Sequence, residues 1–263
     1  MVNRTLADTA YFRIREAILR GRIPLGATLS RRRLTAELKS SLAPVAEALQ
    51  RLESDGLVES RPRAGTRVRV PTEQDIRDSY ILREALETMS ARLFAIEATE
   101  RERREMLRMA EHTDFLFSRC DAGASDAEFL YEVHAYHMEL HMRIARIGGC
   151  SALAEAFEKN QILIQNWVFD VAAHHQLRPP RWHTGLVETL VTATPVEAED
   201  AMRRHVRYGL DDIVASIAAS APKHWRARRR EVAPATTAAA NEIAVNKRNN
   251  ASQPSLLADP ATR

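Results

Sequence analysis

The chain has 263 residues, 45% of them apolar and 28% charged, with only nine glycines and two cysteines, Cys120 and Cys150, that form no motif. That composition points to a mostly helical globular protein of one large or two modest domains, and it argues against a disulfide framework. The opening MVNRTLADTAYFRIREA lacks the apolar centre of a signal peptide and no apolar run approaches spanning length, so a soluble, cytoplasmic protein with no membrane partner is expected.

The net charge of +3 is unevenly spread: residues 1–70 carry 14 basic and 7 acidic side chains, residues 221–263 carry 8 and 3, and the stretch between is net −9. A basic head on an acidic body suggests that the head meets a polyanion. Along that head, residues 6–20 set Ala10, Ile14, Ala17 and Ile18 on one helical stripe. GRIPLGATLS breaks the helix, and Ser30 can cap a second one, RRRLTAELK. After the turn SSLAP, a third helix, VAEALQRLESD, has Val45, Ala48, Leu49 and Leu52 on its apolar face and ends at Gly56. LVES and TRVRV read as short strands around RPRAG, where Gly65 permits a tight reversal.

Three short helices and a hairpin describe a winged helix-turn-helix over residues 1–70. A hinge is expected at 71–75, within VPTEQD, where Thr72 resembles a helix start with imperfect capping-box spacing. Residues 76–220 are helical in pattern, with breaks near Thr99, residues 121–125, Gly148–Gly149, residues 178–180 and Pro195. They predict an all-α bundle of about six helices, so the fold class is mainly α. Residues 221–263 lack a sustained apolar period and are expected to be mostly disordered.

A helix-turn-helix lays its second helix in the major groove of duplex DNA, with that helix's first residues facing the bases. Here the start is SSLAPVAEA, where Ser40 and Ser41 can bond phosphates. Arg31, Arg32 and Arg33 open the preceding helix, and Arg63 and Arg67 flank the wing; all five suit phosphate or minor-groove contacts. A protein-binding role for such a module is the alternative, and charge and layout together favour DNA. The stretch IREAILRGRIPLGATLSRRRLTAELKSSLAPVAEALQRLESDGLVESRPRAGTRV also resembles the DNA-binding head of GntR-family bacterial transcription regulators. The resemblance rests on Gly21–Pro24, Gly26, Leu29–Ser30, Pro44–Val45, Glu47–Leu49, Leu52, Asp55–Val58 and Gly65. It implies that Arg32 contacts DNA. The family usually has arginines where this chain has Leu42 and Ala46, which implies an operator unlike the usual one, with Leu42 available to a thymine methyl.

In the body, VHAYHMELH concentrates His134, His137 and His141. His137 and His141 are one helical turn apart, a spacing that can chelate a divalent cation, although helical histidines are more often surface or packing residues. His183 in RWHTGLVETL and His205 in AMRRHVRYGL sit on two further predicted helices, so three helices offer donors to one interior site.

The segments LREALETMSARLFAIEAT, HMELHMRIARIGGCSALAEAF and HTGLVETLVTATPVEAEDAMRRHV resemble the FCD ligand-binding domain found in one GntR branch. In that family an Asp-x-x-Phe-His segment and two later histidines bind a metal. The resemblance places His141 at the first histidine and His183 and His205, 22 residues apart, at the later two; His137 stands for the aspartate and Leu140 for the phenylalanine. Either His137 is a ligand, giving an all-nitrogen site better suited to Zn²⁺ or Ni²⁺ than to Mn²⁺, or only the other three bind. His134 is read as a surface residue or a neighbour of the ligands.

Arg83 matches an arginine that faces the family's effector cavity, which implies a carboxylate clamp beside the cation; the plain alternative is a surface pair with Glu87. Asn166 is a second effector-binding candidate, and Trp167 reads as packing. The expectation is therefore a homodimeric regulator that binds an operator in double-stranded DNA and responds to a small organic acid held at a divalent metal; the resemblance implies a repressor released by the acid, with activation the alternative. The alternatives are a metal sensor and, less favoured, a histidine–metal hydrolase, for which Glu132 and Glu139 are poorly placed as general bases.

Overall fold

In the computed structural model, residues 4–63, 65–121, 127–169, 179–208, 210 and 257 are described. The head is built from α1 (Leu6–Leu19), β1 (Thr28–Leu29), α2 (Arg31–Glu37), α3 (Leu42–Ser54), β2 (Val58–Arg61) and β3 (Gly65–Val68). Thr5 and Asp8 close a reciprocal capping box at the start of α1. Arg51 donates to Asp8 at 2.6 Å and the Tyr11 hydroxyl donates to Asp55 at 2.6 Å, tying α1 to α3. Beneath them Ile14, Ile18, Leu34, Leu49, Leu52 and Leu57 form an apolar core.

Three details differ from the sequence reading. The third helix begins at Leu42, not Val45, because Pro44 falls in its first turn, where the missing N–H has no intrahelical partner to lose. The second ends at Glu37, not Lys39, since Lys39 turns left-handed at φ 49°. The sheet has three strands in the order β1-β3-β2: the two-residue β1 pairs with β3, Thr28 opposite Arg67, too short for any alternating pattern to betray it. β2 and β3 form the expected wing, with Val58 opposite Val68 and Arg61 opposite Gly65. Gly65 has φ +82° with open space around its α-carbon, so its requirement is conformational and not steric.

The body comprises α4 (Glu73–Glu97), α5 (Glu100–Asp121), α6 (Ala127–Ile147), α7 (Ser151–Phe169), α8 (Trp182–Thr192) and α9 (Pro195–Arg207). α4 opens on a true capping box: Thr72 accepts from the Asp75 N–H and Asp75 accepts from the Thr72 N–H, so the spacing is regular, with aspartate in place of the usual glutamate. Arg69 donates to Asp75 at 2.6 Å, which joins the strand end to the helix start and leaves little of the expected hinge outside regular structure. Phe94, Met106, Leu140, Val187, Leu190, Met202 and Val206 make the main core of this bundle. At Gly148 a β-carbon would lie 2.9 Å from the Leu93 β-carbon, so glycine is what lets the end of α6 approach α4. No described helix is long and apolar enough to cross a membrane. Of residues 221–263 only Leu257 is described, buried against the head's core; the expected disorder of that tail otherwise lies outside the described residues.

Candidate functional site

Inside the body, three helices bring four imidazoles together. His137 and His141 are successive turns of α6, His183 is the second residue of α8, and His205 lies in the last turn of α9. Their relative exposures are 9%, 1%, 1% and 7%. Ring centroids are 4.7 Å apart for His137–His141 and for His137–His183, 5.2 Å for His141–His205 and 5.3 Å for His183–His205. Ligating nitrogens of His137, His183 and His205 all lie within 4.8 Å of one another, and the His141 and His137 Nε2 atoms are 3.0 Å apart. His137 is therefore inside the cluster and not beside it. His134, one turn earlier, is half-buried with its ring edge-on to Phe117, the ring that also packs on His137 and His183.

Two of the rings are anchored by carboxylates. His141 Nδ1 lies 2.5 Å from Glu87, and Glu87 also accepts from Arg83. Burial alone would raise the Glu87 pKa, but the charges of Arg83 and then His141 outweigh it and hold the group well below the usual carboxylate range. Asp114 on α5 accepts from the His183 N–H at 3.0 Å and the Thr184 N–H at 2.9 Å, lies 2.7 Å from His183 Nδ1, and takes the Thr184 hydroxyl at 2.6 Å. Burial again works to raise its pKa, and the hydrogen bonds from His183 and Thr184 bring it down to about 2. An ionised carboxylate only accepts, so the bond from His183 to Asp114 puts a proton on His183 Nδ1 and leaves its Nε2 free to act as a donor atom to a cation. Aromatic rings brace the rest: Phe117 stacks on His183 at 5.4 Å and Trp182 stacks on His205 at 5.1 Å.

This donor set fits a divalent cation of borderline softness. The rings sit deep in the bundle, nitrogens of His137, His183 and His205 converge with His141 beside His137, and carboxylates lie against the outer nitrogens of His141 and His183. The His137 and His141 Nε2 atoms, 3.0 Å apart and buried, are polar groups whose desolvation a shared cation would offset. Glu139 is exposed and accepts from Arg146 at 2.8 Å, and Glu132 is exposed, so neither reaches the rings.

Arg83 is neither a surface residue nor an open clamp. It is 7% exposed, packs over the Tyr80 ring and pairs with Glu87, and so it meets the cluster through that carboxylate. Asn166 and Trp167 lie on α7 where side chains fall outside the described residues. Sequence reasoning missed Asp114 and Thr184 altogether, and named Glu87 only as a surface partner. Glu87 had a faint signal, an acid at helical spacing from Arg83 on an inward face; Asp114, 69 residues from His183, had none.

On the head, Arg31, Arg32, Ser41 and Arg63 are exposed, and Leu42 is 59% exposed at the first residue of α3. Ser41 precedes α3 without a side-chain cap bond, so its hydroxyl does not occupy the first N–H groups of that helix. Arg63 sits at the wing with φ 65°. Ser40 and Ala46 are half-buried, Arg33 donates to Glu37 at 2.8 Å, and Arg67 is paired with Glu59 at 2.5 Å. Of the five arginines expected to meet a polyanion, Arg31, Arg32 and Arg63 are thus the exposed ones.

The model of bacterial regulatory proteins of the gntR family matches residues 6–68, and that of the FCD domain matches residues 78–208. The chain is 44% identical over 78 residues to a "Probable D-xylose utilization operon transcriptional repressor" of Paenarthrobacter nicotinovorans, covering 30% of this chain and 34% of that one. It is 26% identical over 127 residues to the HTH-type transcriptional regulator YdhC of Bacillus subtilis, covering 48% and 55%. The chain therefore spans only a third to about half the length of these two relatives. A solved structure of a GntR transcriptional regulator from Rhodococcus sp. RHA1 superposes with a TM-score of 0.62 at 23% identity, over 81% of this chain and 97% of that one, which shows the shared fold.

Proposed function

The chain belongs to the GntR family of bacterial regulatory proteins and is a regulator of the GntR/FCD type, and from that premise we propose that its body reports a small organic acid, held at a divalent metal, to an operator-binding head. The observation that carries this reading is the convergence of four buried imidazoles from three helices. His137, His141, His183 and His205 would hold the cation, and with only nitrogen donors Zn²⁺ or Ni²⁺ suits them better than Mn²⁺. The cation would supply a fixed positive charge at which an anionic ligand binds. Arg83 is a second cationic group beside the site, and a carboxylate effector would share it with Glu87. Asn166 remains a candidate lining residue.

For the acid to act as a signal, it must bind the DNA-competent and DNA-incompetent arrangements with different affinity. The segment 71–75 is the proposed place for the head to reorient. Contacts to operator DNA are assigned to Arg31, Arg32, Ser41, Leu42 and Arg63, with Ser40, Ala46 and Gly65 shaping the surface; Arg33 and Arg67 contribute if they leave their glutamates. A homodimer, with two heads on two half-sites, is supported by an exposed apolar stripe on α4 that includes Ile81, Leu82, Met89 and Ile96.

The test is a footprint on DNA upstream of the protein's own gene, with and without chelator and a panel of small organic acids. The reading expects two protected half-sites about 10 bp apart or a multiple of that, protection lost with one acid, and that loss abolished by chelation. Protection indifferent to every acid and to chelation contradicts it. A change on chelation alone identifies a metal sensor.

A further inference from the structure

We infer that Asp114, which lies outside the four-histidine cluster, is the positioning residue that makes His183 a metal ligand, because one carboxylate sets both the ring's tautomer and the helix turn that carries it. The inference rests on the metal reading above and deepens it.

The start of α8 is irregular. Its N-cap, Arg181, is left-handed at φ 57° and makes no side-chain cap bond. The N–H groups of the first turn therefore need an acceptor from elsewhere. Asp114, on α5, provides it in trans: one oxygen accepts from the His183 N–H at 3.0 Å and the other from the Thr184 N–H at 2.9 Å. The same oxygen that takes the His183 N–H lies 2.7 Å from His183 Nδ1, and the other accepts from the Thr184 hydroxyl at 2.6 Å.

A carboxylate at a helix N-terminus is favoured by the helix dipole and by charge-assisted bonds, so its position is well determined. It follows that the ring is fixed at two points, its backbone and Nδ1. Phe117, stacked on it with the planes 15° apart, blocks rotation out of that pose. The only imidazole nitrogen left to face the other rings is Nε2. A helix cap needs only the backbone and hydroxyl contacts; the contact to Nδ1 is surplus to capping and is what a ligand-orienting group supplies.

Capping and positioning separate experimentally. Zn²⁺ affinity, by competition with a chromophoric chelator, and apo-protein melting would be measured on the full chain and on Asp114→Asn, His183→Ala, the double variant and Thr184→Val. The inference expects Asp114→Asn to weaken Zn²⁺ binding about 10–100-fold. In the His183→Ala background the same change should alter affinity less than about twofold, because coupling vanishes once the ring is gone. Thr184→Val, which removes one of the bonds that hold Asp114, should lower apo melting and weaken Zn²⁺ binding by less than Asp114→Asn does. Histidine ¹⁵N spectra of the Zn²⁺-loaded unaltered chain give a readout that needs no variant to fold: His183 should be metallated at Nε2 and protonated at Nδ1. Asp114→Asn binding Zn²⁺ as tightly as the unaltered chain, equal losses in both backgrounds, or His183 metallated at Nδ1 would each overturn the inference while leaving the metal reading intact. Failure of the unaltered chain to bind Zn²⁺ or Ni²⁺ would overturn the metal reading and this inference with it.

Discussion

The two halves of the molecule treat polar side chains in opposite ways. Among the described residues, the head fully buries one polar side chain, Thr66, whereas the body buries twelve, among them Arg83, Glu87 and all four clustered histidines. The head's ion pairs, such as Arg51–Asp8 and Arg67–Glu59, are partly open to solvent. The body's Arg83–Glu87–His141 chain is almost wholly enclosed. A reader of DNA can be an apolar core wearing its chemistry outside, since its ligand is a surface. A body that is to hold a small ligand, as proposed here, brings polar groups inward, where each needs partners to offset its desolvation.

The sharpest way to break this contrast is to remove one buried partner. Glu87→Ala strands Arg83 in the interior, and the unfolding free energy measured by urea titration should drop by about 3–5 kcal/mol. A loss below about 1 kcal/mol would mean that the interior chain is far better hydrated than its burial implies. The corresponding change in the head, Glu59→Ala, should cost less than about 1 kcal/mol, because its pair with Arg67 is partly exposed. It should also leave DNA affinity equal or higher, since it releases Arg67 toward the phosphates; weaker binding would show that the pair shapes the wing.

The smallest effect concerns acid. The hydrogen bond from Arg51, then those from Thr5, lower the Asp8 pKa from 3.8 to about 2. Its folded pKa is depressed, so its contribution is fully present above about 4 and lost as pH falls through about 2. Peptide-resolved hydrogen exchange in α1 should therefore rise over that window, and Asp8→Asn should flatten the rise. An unchanged profile would remove Asp8 as the cause.

How much of this was legible in the sequence follows the same divide. The head could be read because local signals decide it: Ser30 before a helix, Gly56 after one, Gly65 at the reversal. What escaped there was small, a two-residue strand and a helix start displaced by Pro44. In the body the helices were legible from their breaks, and the histidines from helical spacing plus the resemblance. The carboxylates behind them were not. Asp114 and Glu87 acquire their roles through packing between distant helices, and an acid in a helix rich in charge carries no mark of facing inward. Arg83 shows the converse: its spacing from Glu87 suggested a pair, but only the fold decides that the pair is buried.

The claim on which the rest depends is that the four imidazoles share one ion. X-ray absorption at the zinc edge of the full chain, loaded with one equivalent of Zn²⁺ and washed free of excess, tests it most directly. The account predicts stoichiometric retention and a first coordination sphere dominated by imidazole nitrogen, lost in His205→Ala. No retained zinc, or a sphere dominated by oxygen or sulfur, would contradict it.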